Sequence, residues 1–168
     1  MIDLRVLSPD DWPVWRELRL AALADAPEAF GASLADWQVA GDREERWRAR
    51  LAVPGSYHVV ALLDGVPVGM ASGMPTERDG IVELLSMWVA PQARGRGVGD
   101  RLVSAVTQWA EERGADLVRL AVADGNRPAA ALYERHGFGY TGETQLMPDG
   151  VRREVIMQRP CRRDVTAG

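Results

Sequence analysis

The chain has 168 residues, 46% hydrophobic and 26% charged, with a formal net charge of -4; this is the make-up of one globular domain that buries a core without disulfides or a structural metal. A single cysteine, Cys161, excludes an internal disulfide and a cysteine-rich zinc site, and the distant His58 and His136 form no His-Glu-x-x-His pattern. All 20 basic residues are arginine, which excludes a P-loop lysine and Schiff-base chemistry, while the acidic balance disfavours nucleic acid and suits a cationic small substrate.

In chain order, residues 2–7 alternate apolar and polar, as a half-buried strand does. Ser8-Pro9-Asp10-Asp11 supplies a cap, a proline and early acids for a helix that runs to about residue 24. Asp25 to Gly31 breaks it. A second helix follows, with Asp42 and Glu45 spaced as a capping box before Trp47 and Leu51. The period then changes. Residues 57–63 and 66–74 are strands joined by Asp64-Gly65, a two-residue hairpin signal, and 81–89 is another strand closed by Pro91. Residues 98–113 are helical, with Val98, Leu102, Ala105, Val106 and Trp109 on one face. A buried strand covers 117–122 and a short helix 128–136, which begins at proline and stops at Gly137. Two strands, 138–145 and 151–157, close the chain. The order βααβββαβαββ predicts an α/β fold: one mixed, mostly antiparallel sheet with helices on both faces. A single domain is expected over 1–159, with a polar, frayed tail over 160–168. Uncharged apolar runs are short, such as Val59 to Leu63, and Met1 to Arg5 carries no signal pattern; a soluble, cytoplasmic chain without membrane helices is expected.

The most informative stretch is Val89-Ala90-Pro91-Gln92-Ala93-Arg94-Gly95-Arg96-Gly97-Val98-Gly99, between a strand and a helix. Alternate glycines let backbone approach a ligand, and the helix that follows aims free N–H groups and partial positive charge at the loop. With Arg94 and Arg96 added, this is an anion cradle suited to a pyrophosphate; the bland alternative is a glycine-rich turn with two solvated arginines. A dinucleotide fold fits poorly. Its third glycine would come one residue later, and Asp116 sits at the wrong end of the next strand for a ribose contact.

Gln92, Gly95 and Gly97 match the main motif of the GNAT superfamily of acyl-CoA-dependent N-acetyltransferases, and Asn126, Ala129, Ala130, Leu132, Tyr133, Gly137 and Phe138 match a second one. The chain therefore resembles that family over roughly residues 2–158. The resemblance implies a GNAT-like fold and acetyl-CoA as cosubstrate, with no metal. It implies that Gln92, Arg94, Gly95, Arg96, Gly97, Val98 and Gly99 hold the CoA pyrophosphate, and that the pantetheine arm pairs with strand backbone near Met87, Trp88 and Val89. Tyr133 is the implied donor to the departing thiolate; the alternative is a core tyrosine beside Phe138. Glu83 is the implied base. Strand alternation puts it on one face with Leu85, Met87 and Val89, where apolar neighbours would raise its pKa; the alternative is an exposed acid near Arg78. Asn126 contacts pantetheine, caps a helix, or does both. Glu28, Phe30 and Trp37 fall where acceptor-lining loops lie in the family, or are ordinary loop packing.

The implied reaction is acetyl transfer from acetyl-CoA to a primary amine, with direct attack in a ternary complex. A small-molecule acceptor is favoured over a protein N-terminus or lysine. The rival of a different class is a non-catalytic acyl-CoA sensor. A homodimer is compatible with the tryptophan-rich N-terminal half.

Overall fold

The structure is a computed structural model that describes residues 1–27, 34–37 and 41–161. Its elements follow the expected order: β1 (Ile2–Val6), α1 (Trp12–Asp25), α2 (Glu44–Leu51), β2 (Tyr57–Leu63), β3 (Val66–Pro75), β4 (Ile81–Val89), α3 (Val98–Glu112), β5 (Leu117–Ala123), α4 (Arg127–Arg135), β6 (Gly139–Leu146) and β7 (Arg153–Pro160). One seven-stranded sheet has the order β1-β2-β3-β4-β5-β7-β6. Among the described residues only β4 and β5 pair in parallel, over Ile81–Leu117, Val82–Val118 and Glu83–Arg119. Past these pairs the two strands part, and the sheet opens between them. Asp64 and Gly65 both have positive φ, the geometry of a tight hairpin turn. Among the described residues no helix is long and apolar enough to cross a membrane.

The core lies on both sides of the sheet. A Cβ placed on Gly69 or Gly73 would point at Leu102 or Trp109, so this face of β3 carries α3. The register puts Val89 and Leu84 on the same face. The other face carries α1, where Trp15 meets His58 edge-on at 5.3 Å. Trp15 and Trp47 are buried, and Trp12 and Trp109 pack against the core, as expected for tryptophans on helices.

Gly73 is required by close approach. A Cβ there would lie 2.4 Å from the Trp109 ring. That ring stacks on Tyr57 at 5.4 Å and has the Arg113 guanidinium 4.9 Å from its centroid, so it is not free to move away. Gly73→Ala is expected to destabilise the fold by about 1–3 kcal/mol through overpacking. Equilibrium urea unfolding checks this, and a loss below about 0.5 kcal/mol would mean the ring relocates.

Three local expectations are corrected. Asp42 and Glu45 do not form a capping box, for α2 begins at Glu44 with Arg43 as its cap residue. The Asp42 carboxylate instead accepts from Arg16 Nε at 2.7 Å and Trp47 Nε1 at 2.9 Å, which ties α1 to α2. Arg16 first, then Trp47, holds its pKa down to about 2. The tail does not begin at Pro160: Pro160 pairs with Leu117, and the Cys161 N–H donates to the Asp116 carbonyl at 2.8 Å. Residues 162–168 lie outside the described residues.

The third correction concerns β4. Ser72 pairs with Leu85 but Met70 pairs with Trp88, so β4 carries one extra residue. Ser86 takes φ 55° there, a left-handed conformation uncommon outside glycine. The resulting bulge breaks strand alternation. Glu83 and Leu85 face the α1 side with Trp88, while Met87 and Val89 face the α3 side; the expected common face does not exist. Glu83 is also exposed, not surrounded by apolar side chains.

Candidate active site

Two clefts flank the opening between β4 and β5. The first, of about 750 Å³, is lined by Met87, Trp88 and Val89 of β4, by Ala93 to Gly99 of the following loop except Arg96, and by Asn126, Leu132 and Tyr133 around α4. Of the residues expected to hold CoA, Met87, Trp88, Val89, Arg94, Gly95, Gly97, Val98, Gly99, Asn126 and Tyr133 come together here. Gly97 is the N-cap of α3 with φ 83°, a conformation open to glycine without strain, and the free N–H groups of the α3 first turn face the cleft rim. The α3 N-terminus and the loop backbone thus form a positive, donor-rich edge suited to an anion.

The arginines behave differently from expectation. Arg94 Nε donates to the Val89 carbonyl at 3.0 Å, and its Nη2 donates to Asp25 Oδ2 at 2.6 Å. The same Asp25 oxygen accepts from Trp88 Nε1 at 3.0 Å. Trp88 first, then Arg94, holds the Asp25 carboxyl below its ordinary range. Asp25 therefore clamps the loop and β4 to the end of α1, a role no motif announces. Arg96 and Gln92 are exposed and do not line the cleft. Asn126 Oδ1 accepts from the Ala129 N–H at 3.4 Å while Asn126 also lines the cleft, so capping and cleft lining coexist. Asp100, in the first turn of α3, accepts from His136 Nε2 at 2.9 Å and joins α3 to α4.

The second cleft, of about 450 Å³, lies on the other side of the parting. Glu83, Leu85, Ser86 and Met87 of β4 line it, with Arg19 of α1, Arg50 of α2, and Arg119, Gln145 and Glu154 from β5, β6 and β7. The Glu83 carboxylate makes no hydrogen bond or ion pair with another described residue. Arg119 Nη2 donates to Glu143 at 2.7 Å and Gln145 Nε2 donates to Glu154 at 2.6 Å.

Tyr133 and Met87 line both clefts, so the clefts meet at these two residues. The Tyr133 ring packs edge-on against Phe138 at 5.9 Å, and burial pushes its hydroxyl pKa up; it is a core tyrosine that also reaches the junction. Trp37 does not reach either cleft. It lies 4.4 Å from Trp47, with the Arg46 guanidinium 3.6 Å over its ring. Glu28 and Phe30 lie outside the described residues. Arg19 and Arg50 were missed by sequence reasoning. The available signal was an arginine on an apolar stripe: Arg19 follows Trp15 by four residues and precedes Ala22 by three, and both neighbours are buried.

The family model described as Acetyltransferase (GNAT) family matches residues 14–138. A mycothiol acetyltransferase of Salinispora tropica is 34% identical over 147 residues, covering 82% of this chain and 44% of that protein; the chain spans less than half the length of the mycothiol acetyltransferases it matches. Among solved structures, an acetyltransferase of the GNAT family from Streptococcus pneumoniae superposes with TM-score 0.81 at 17% identity, covering 96% of this chain and 100% of that one. A PaiA N-acetyltransferase from Thermoplasma acidophilum in complex with coenzyme A does so with TM-score 0.74 at 17% identity, covering 95% and 99%. The two motifs, the parted β4–β5 pair and the match over most of the chain together mean that this chain belongs to the acetyltransferase (GNAT) family.

Proposed function

We propose that this chain moves an acetyl group from acetyl-CoA to the primary amine of a small molecule, by direct attack in a ternary complex. The observation that carries this reading is the junction of the two clefts at Tyr133 and Met87. One cleft has the donor-rich α3 N-terminus for the CoA pyrophosphate, and the β4 edge left open by the parted strands for the pantetheine amides. The other is the acceptor side. The thioester then lies at the junction, within reach of an amine from the second cleft. The relatives' names, including mycothiol acetyltransferase, support a small-molecule acceptor.

In the reaction the amine lone pair attacks the thioester carbonyl carbon, the C–S bond breaks, and its electron pair leaves on the CoA sulfur. The acceptor ammonium must first lose a proton. Glu83, on the acceptor cleft and without an internal partner, takes that proton directly or through water. Tyr133 donates a hydrogen bond to the departing thiolate. Cys161 lines neither cleft, so this route uses no acyl-cysteine.

The test is CoA release from acetyl-CoA across polyamines, amino acids, aminoglycosides and peptides. One responsive small amine supports the reading. Transfer only to peptides would reassign the acceptor to protein, and tight acetyl-CoA binding with no transfer would favour a binding module. With a responsive amine in hand, Glu83→Gln is expected to slow transfer about tenfold at neutral pH, because an exposed base is partly replaced by water. An unchanged pH–rate profile would remove Glu83 as the base.

A further inference from the structure

The second cleft carries an uneven set of charges. Arg119 and Glu154 are matched within the protein by Glu143 and Gln145. Arg50 is not so matched: it donates to Ser86 Oγ at a long 3.4 Å, and no carboxylate among the described residues pairs with it. Arg19 lines the same cleft from α1. Burial lowers the pKa of both, and the charge of Arg50 adds to burial in bringing Arg19 to about 10. Both guanidinium groups carry like charge on one cleft, and both are half-buried. Arg50, held by one long bond to a neutral hydroxyl, keeps donors for an anion, since a guanidinium offers five in a planar fork. Glu83 lies on the same cleft with the opposite charge.

We propose that the acceptor bears an anionic group, a carboxylate or a phosphate, beside its amine, and that Arg50 with Arg19 binds that group in the second cleft. This deepens the proposed function and rests on its reading of the second cleft as the acceptor side. The acceptor is then an amino acid or an amino phosphate, with Glu83 facing the ammonium and the arginines facing the acid. The local charge opposes the net charge of -4, which alone would favour plain polyamines.

The experiment has two arms. In the first, CoA release is measured for amino acids, each beside its carboxamide and its aminophosphonate analogue. A charge-assisted contact predicts that the acid exceeds its amide in kcat/KM by about tenfold or more. Arg50→Gln should shrink that ratio about fivefold or more. A higher rate for aminophosphonates over amino acids assigns the site to a phosphate. Equal rates for acid and amide, or a preference for the amide, overturn the proposal while leaving the acetyltransferase reading intact. The second arm needs no turnover. Acetate, inorganic phosphate and acetamide are titrated into the protein with CoA bound, and the arginine Nε–H signals are followed by NMR. Saturable shifts of Arg19 and Arg50 with an anion and not with acetamide support the proposal. No saturable shift, or an equal one with acetamide, overturns it. Silence of the first arm while a polyamine or aminoglycoside responds overturns this proposal alone; silence of the whole amine panel overturns the proposed function, and the second arm then decides the anion site.

Discussion

Tyr133→Phe is expected to leave CoA affinity unchanged and to lower turnover by about tenfold or more, toward the low end of acid catalysis. The affinity is preserved because the ring, packed edge-on against Phe138, keeps its shape and its place on the cleft wall without the hydroxyl. Turnover falls because Tyr133 lines both clefts, so on the proposed reading its hydroxyl serves the departing thiolate. Burial pushes its pKa above the ordinary tyrosine range, so at neutral pH it always carries its proton. A phenol that holds its proton more tightly than a thiol does stabilises the thiolate by donating a hydrogen bond rather than by handing the proton over. The loss is therefore moderate. Steady-state rates at saturating acetyl-CoA, with CoA binding measured separately, check it. Unchanged turnover would take Tyr133 out of the mechanism and leave it a packing residue.

Stability is expected to fall by about 3 kcal/mol as the pH drops from 6.5 to 4, through His58 alone. His58 is 1% exposed. Its Nδ1 lies 2.7 Å from Ser72 Oγ and its Nε2 lies 2.9 Å from Ser56 Oγ. Ser56 already donates its hydroxyl to the Val53 carbonyl at 2.6 Å, so it accepts from Nε2–H. Burial keeps the ring neutral at pH 7, and in that form Nδ1 accepts from Ser72. A second ring proton would face the Ser72 hydroxyl donor. Burial first, and the charge of Arg50 second, lower the His58 pKa to about 4 from an ordinary 6.5. A folded pKa below the unfolded one gives stability that is complete above pH 6.5, because both states are then neutral. Between 6.5 and 4 the unfolded chain takes up the proton and the folded chain does not, so stability is lost. Below about 4 both states are protonated and this loss stops. Urea unfolding of the native chain and of His58→Gln at pH 7 and pH 4 isolates the effect, since other titrating groups cancel in the difference. The native advantage over the variant should shrink by about 3 kcal/mol. An advantage that does not change with pH would place His58 outside the acid sensitivity of the fold.

Much of this architecture was legible in the order of residues. Element order, the Asp64-Gly65 turn, the strand at Ile81–Val89 and the helix starting at Val98 all follow from local signals: hydrophobic period, glycine at positive φ, proline at helix starts. The lining of the first cleft was legible for the same reason. Its loop, its helix N-terminus and the Asn126–Tyr133 segment are contiguous stretches whose chemistry is set by neighbours in sequence. Tertiary structure alone decided what depends on elements meeting. The bulge at Ser86 puts Glu83 and Met87 on opposite faces, because register comes from pairing with β3 and not from β4 itself. Arg94 turned from the loop to Asp25, which lies 69 residues away. Asp42 gave up a helix cap for the stronger charge-assisted bonds of Arg16. Arg19 and Arg50 sit on separate helices and become one feature only where α1 and α2 cover the parted strands. The sequence by itself thus determined the family and most of the lining of the first cleft, since backbone geometry and helix termini are local. The second cleft was decided by long-range packing, where residues from seven separate strands and helices converge and no spacing in the chain records their approach.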